Sequence, residues 1–129
     1  MPSVMRVLVV ERDNLLRALI GEWLAAAGVQ AVYPAADGGA TGPDIDAILI
    51  DVENPRQAHE VLLPWRRAYP GAVIIAASGR FLGTCATGNA VASGLGATKI
   101  LAKPFTRSEL WAALSLDADR AVSQAGRAN

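Results

Sequence analysis

The sequence predicts an α/β domain, a doubly wound five-stranded parallel sheet with helices on both faces. Short, continuous apolar runs, of the kind buried on both sides, recur at 7–10, 47–50, 73–77 and 100–102, with a fainter one at 29–33. Segments with helical apolar spacing lie between them. Strand and helix alternate along the chain without a linker or an internal repeat, which is the pattern of repeated β-α units in one domain.

The first run, 7–10, is rich in β-branched residues and ends at Glu11-Arg12-Asp13. Asp13 or Asn14 can cap the helix that follows, because either side-chain oxygen can accept from a free amide in the first turn. Leu15, Leu16, Leu19, Ile20, Trp23 and Leu24 recur at helical spacing, and Gly28 closes the segment. Residues 34–44 hold three Gly and two Pro and have little helical character. The run 47–50 ends on Asp51. Residues 56–69 place Ala58, Val61, Leu62 and Trp65 on one helical face, with Pro64 expected to kink or split it. The run 73–77 ends at Ser78-Gly79. Glycines 83, 88, 94 and 96 weaken any helix over 80–97 by about 1 kcal/mol each relative to Ala. After the fifth strand and Lys103-Pro104, Thr106 and Glu109 form a capping box that opens a helix through Leu116.

Composition narrows the function classes. At 129 residues, 52% of them hydrophobic, the chain is long enough for one real core. Residues 1–121 are expected to form the domain and the polar residues 122–129 a flexible tail. Twelve basic residues balance twelve acidic ones, which excludes a strongly basic nucleic-acid binder. Arg66 and Arg67 are too few for a DNA patch. Apolar runs are too short for a membrane span or a signal peptide, and the single Cys85 cannot form an internal disulfide. These features predict a cytoplasmic protein. His59, the only histidine, is expected on a helix surface, and Trp23, Trp65 and Trp111 in packing. No GxGxxG follows the first strand, so no dinucleotide site is expected.

Four of the five expected strands end in a polar or charged residue: Glu11, Asp51, Ser78 and Lys103. Right-handed crossovers bring these ends to one edge of the sheet, where open parallel sheets bind ligands. The chain resembles the receiver domain of two-component response regulators in VLVVERDNLLR, DAILIDVENP, IIAASG and KILAKPF. The resemblance spans residues 5–118. It is most specific in the Asp ending the third strand with Pro four places on, and in Lys-Pro-Phe after the fifth.

The resemblance implies a flavodoxin-like strand order 2-1-3-4-5, here with helix 2 reduced or missing because only residues 34–44 are available for it. It implies that Asp51 is the phosphoacceptor, that Lys103 and Ser78 bind the phosphoryl group and switch with it, and that the Lys103–Pro104 bond is cis. Mg²⁺ is implied at Glu11, Asp51 and the backbone carbonyl of Glu53, with Asp13 in the same acidic pocket. The implied partners are a histidine kinase or histidine phosphotransfer protein and a downstream protein. The residue chemistry is consistent with this. A carboxylate such as Asp51 can attack phosphorus to give an acyl phosphate, provided that cations or donors stabilise the transferring charge.

The chain departs from that pattern at Arg12. Receivers usually carry two adjacent acids after the first strand, and Arg17 fixes the register in which Arg12 replaces the second of them. Arg12 is expected to weaken Mg²⁺ binding without abolishing it. Either it turns outward and leaves Glu11, Asp51 and the Glu53 carbonyl as ligands, or it pairs with Asp51 or Glu11 and stands in for the cation, which predicts weak Mg²⁺ dependence. A solvated loop residue without consequence is the third option. Ile100 lies where many receivers carry a switching Tyr or Phe. The loop after Ser78, with Phe81 and Leu82, is longer than usual, and the Gly-rich stretch 83–96 is a candidate lever in place of the aromatic.

The leading reading is a stand-alone receiver, with no reaction of its own beyond self-phosphotransfer and autodephosphorylation. The alternative is a degenerate receiver that binds proteins independently of phosphate because Arg12 replaces a metal-binding acid. A flavodoxin-like ligand-binding protein is the third, and nothing in the chain resembles a flavin phosphate loop. Leu110, Trp111 and Leu114 are read as core-facing, with a homodimer face as the other option.

Overall fold

The computed structural model describes residues 4–34, 44–80 and 96–116. Along the chain run β1 (Arg6–Val10), α1 (Asn14–Ala26), β2 (Gln30–Val32), β3 (Ala47–Asp51), a single 3₁₀ turn (Pro55–Gln57), α2 (Ala58–Ala68), β4 (Val73–Ser78), β5 (Lys99–Ala102) and α3 (Arg107–Ala113). The strands form one five-stranded parallel sheet of order β2-β1-β3-β4-β5, as expected. The expected reduction of helix 2, Phe81, Leu82, Cys85, most of the 83–96 lever and the 122–129 tail lie outside the described residues.

Side chains alternate across the sheet and build two cores. Val7, Val9, Ala47, Leu49, Ile75, Ala77 and Leu101 pack against Ile20 and Leu24 of α1 and Leu110, Trp111 and Ala113 of α3. Leu8, Ile48, Ile50, Ile74, Ala76 and Ile100 pack against Ala58 and Leu62 of α2. Leu110, Trp111 and Leu114 are buried in the first core, so they are core residues. The Trp111 indole N–H donates to the Trp23 carbonyl at 3.0 Å. His59 lies exposed on α2.

At α1, the 3₁₀ turn and α3 a side chain satisfies free amides of the first turn, whereas α2 follows on the 3₁₀ turn without a side-chain cap. Asp13 Oδ1 accepts from Leu15 N and Leu16 N at 2.9 and 3.1 Å, and Asn54 Oδ1 accepts from Arg56 N to open the 3₁₀ turn. Thr106 and Glu109 form the expected capping box. At Gly28, φ is +74°, and Gly28 N and Val29 N fold back on the carbonyls of Ala25 and Leu24.

Several expectations need correction. Leu15 is 85% exposed and Val61 is also exposed, because α1 turns Leu16, Ile20, Trp23 and Leu24 inward and α2 buries Ala58 and Leu62. Pro64 neither splits α2 nor ends it. It lies on the solvent side with Glu60, whose carbonyl loses its intrahelical partner where water can replace it. The last helix ends at Ala113 rather than Leu116. Ser115 adopts a left-handed conformation (φ 61°), Leu116 N returns to the Trp111 carbonyl, and Lys99 Nζ takes the Ala113 carbonyl at 2.8 Å. Among the described residues no helix is long and apolar enough to cross a membrane.

Candidate functional site

Strand register builds the site. Val10 lies beside Ile50, Asp51 beside Ala77, and Ser78 beside Ala102. Glu11, Asp51, Ser78 and Lys103 therefore finish at one level, at the carboxyl edge of the sheet. Backbone bonds extend the pairing just past the strands, from Val52 N to the Ala77 carbonyl and from Lys103 N to the Ser78 carbonyl. The Lys103–Pro104 bond is cis, as the resemblance implies.

Lys103 Nζ donates to Glu11 Oε1 and to Asp51 Oδ1, both at 2.7 Å. The three side chains are largely buried, with 19% of Lys103, 13% of Asp51 and 5% of Glu11 exposed. Burial alone would lower the Lys103 ammonium, but hydrogen bonds and attraction from Asp51 and Glu11 outweigh it and hold it above the ordinary lysine value. The pocket thus contains a lysine charged throughout the neutral range and a carboxylate with one oxygen already bound.

The second oxygen of Asp51 faces Arg12. Arg12 Nη2 lies 3.6 Å from Asp51 Oδ2 and 2.7 Å from Glu53 Oε1. Of the expected outcomes, the structure takes the pairing one: Arg12 turns back over the site. The Glu53 side chain was not expected to act there. It hydrogen-bonds and attracts the guanidinium, which raises the Arg12 pKa further. Asp13, expected in the acidic pocket, spends its side chain on the α1 cap, and its backbone N–H donates to Glu11 Oε2 at 3.1 Å.

Over Asp51 opens a cleft of about 620 Å³, whose walls include Glu53, Ser78, Arg80 and Lys103. Ser78 is buried, and its Oγ accepts from Arg80 N at 3.1 Å. Arg80 is a further cation at this cleft that the sequence reading passed over. The signal available for it was a basic residue two places after the strand-end Ser. Ile100 is 5% exposed within the α2-side core, so no aromatic stands at that position.

Magnesium takes oxygen ligands and keeps near-ideal octahedral geometry. Here Glu11 Oε1 and Asp51 Oδ1 are bound to Lys103, Glu11 Oε2 accepts from an amide, and Asp51 Oδ2 and the Glu53 side chain face a guanidinium, which leaves only the Glu53 backbone carbonyl of the implied ligands outside these contacts. This donor set does not fit a divalent ion. Among the described residues no group of three or more His, Cys, Asp or Glu is arranged to hold a metal.

No protein-family model matches the chain, and no curated protein matches it. Solved structures do. A CheY-like response regulator receiver domain protein from Methanospirillum hungatei superposes with a TM-score of 0.68 at 19% identity, over 97% of this chain and 99% of that one. The receiver domain of a sensor histidine kinase from Pseudomonas aeruginosa, with magnesium coordinated in its active-site cleft, gives 0.62 at 26% identity over 88% and 96%. An orphan response regulator of Helicobacter pylori gives 0.66 at 20% identity over 91% and 96%. The chain has the fold of response regulator receiver domains.

Proposed function

We propose that this chain is a receiver module that accepts a phosphoryl group on Asp51 and signals through protein contacts that depend on it. The donor is a phosphohistidine on a histidine kinase or phosphotransfer protein, and the setting is the cytoplasm. One observation supports this above the others. Lys103 bridges Glu11 and Asp51 at 2.7 Å each, at the floor of a cleft that Ser78 also lines. In the transfer an Asp51 oxygen attacks phosphorus, and the P–N bond to the histidine breaks. The imidazole leaves with the bonding electrons, already carrying a proton on its other nitrogen, and Asp51 becomes an acyl phosphate. Lys103 neutralises charge on the phosphoryl oxygens, and the Ser78 hydroxyl, whose oxygen accepts from the Arg80 amide, can donate its proton to one of them. The Pseudomonas receiver holds magnesium in its own active-site cleft. In this chain the cations at the carboxylates are Lys103 and Arg12.

The test is intact-mass analysis after incubation with a small phosphodonor or a phosphorylated histidine phosphotransfer protein. Addition of one phosphoryl group to wild type and none to Asp51→Asn is expected. Equal labelling of the variant would place the acceptor elsewhere.

A second reading is favoured by the Arg12–Asp51 contact of 3.6 Å. It is a protein-binding module whose contacts do not depend on phosphate. It predicts no labelling by either donor and unchanged partner binding by Asp51→Asn.

A further inference from the structure

We propose that Arg12 is a resident cation that takes over the charge a divalent ion would bring to this pocket, and that Glu53 positions it. The role in transfer rests on the reading of Asp51 as phosphoacceptor; the effect on metal binding does not.

Two cations divide Asp51 between them. Lys103 Nζ holds Oδ1 at 2.7 Å, and Arg12 Nη2 faces Oδ2 from 3.6 Å. The 2.7 Å contact with Glu53 Oε1 sets the guanidinium in that place. Glu11, Asp51 and Glu53 carry three negative charges against the two positive charges of Arg12 and Lys103, leaving one negative charge in excess. With an acid at position 12 the excess would be three, and a divalent ion would return it to one. A guanidinium therefore supplies the same local charge as an acid together with its metal ion. It is also always protonated, and its planar fork matches phosphoryl oxygens bidentately. At 69% exposure, Arg12 gives up little hydration where it stands and has room to follow the incoming group.

The corresponding transfer is metal-independent. With phosphoramidate as donor, Asp51 Oδ2 forms a bond to phosphorus as the P–N bond breaks. Nitrogen leaves with the electron pair as ammonia, already protonated in the zwitterionic donor. Arg12 and Lys103 flank the phosphoryl oxygens.

Two measurements on the full chain decide the matter separately. The first is Mn²⁺ binding by electron paramagnetic resonance and Mg²⁺ binding by calorimetry, for wild type and Arg12→Asp. The variant is expected to bind at least about tenfold tighter, because a repelling charge becomes a ligand. Equal affinity for the two proteins would overturn the proposal, whatever happens to phosphate. The second is labelling by phosphoramidate in chelator and in Mg²⁺. Wild type is expected to label equally in both, and Arg12→Asp only with metal. Arg12→Met should label at least about tenfold more slowly in chelator, Arg12→Lys should recover part of the rate, and Glu53→Gln should fall between. Wild-type labelling that requires Mg²⁺ would overturn the resident-cation role and leave the phosphoacceptor reading standing. No wild-type labelling under either condition, by phosphoramidate or phosphohistidine, would overturn both the phosphoacceptor reading and the part of Arg12 in transfer.

Discussion

Two cations reach Asp51 from different parts of the chain, and the protein holds them in different ways. Lys103 follows directly on β5, is mostly buried, and donates to two carboxylates that are themselves buried. Arg12 sits in the loop after β1, is largely exposed, and takes its short contact from Glu53, which is 76% exposed. Removing the lysine would strand two carboxylates away from water, whereas removing the arginine returns solvated groups to solvent. The lysine therefore contributes to the fold as well as to the site. The residue at position 12 is free to set the pocket's charge with little structural consequence.

The largest expected effect comes from breaking the buried side of this comparison. Lys103→Met should cost about 3 kcal/mol or more, because it leaves buried charges uncompensated. Chemical denaturation monitored through the tryptophans measures it, and a loss under about 1 kcal/mol would mean that water already serves these carboxylates. The same pair has an alkaline limit. The folded-state pKa of Lys103 lies above the ordinary value of 10.5, so its contribution is complete below that pH and is lost as pH rises through the raised value. Wild type and Lys103→Met should then converge in stability only in strongly alkaline solution.

Smaller effects sharpen the assignment of the acids and of Arg12. Asp13→Ala should lose about 1 kcal/mol by removing the α1 cap, while phosphoryl labelling stays at the wild-type rate; a labelling defect in a folded variant would return Asp13 to the pocket. The smallest effect is expected at the exposed side. Arg12→Met should leave the unfolding midpoint where it is, even though it changes labelling in chelator. A large drop in stability would mean that the Arg12–Glu53 pair contributes to the fold.

Much of the fold was legible because it depends on local pattern. Apolar runs of strand length, Gly28 after the first helix and the Thr106–Glu109 box each act within a few residues. The strand-end residues Glu11, Asp51, Ser78 and Lys103 were legible too, since a parallel sheet with right-handed crossovers collects its carboxyl ends on one edge. The errors fall where several local solutions are equally good. Leu15 and Leu19 match the helical spacing as well as Leu16 and Ile20 do, and only the position of the sheet selects between the faces. The last helix had no proline or glycine to stop it, yet Ser115 turns left-handed while Lys99 takes the Ala113 carbonyl. Glu53 was expected at the site only through its backbone carbonyl, and Arg80 was passed over, because exposed charges near a loop carry no signal of which way they turn.

By itself, then, the sequence determined the strands, the caps and the chemical identity of the groups at the sheet edge, because propensity and spacing act over short range. It also placed a reversed charge, Arg12, among acids. What that arginine does was decided by tertiary structure. Contacts such as Lys103 with Glu11 and Asp51 join residues 92 and 52 positions apart, and they exist only once register has brought β1, β3 and β5 level. After that, electrostatics in a crowded pocket assigned Lys103 to one oxygen of Asp51 and turned Arg12 toward the other.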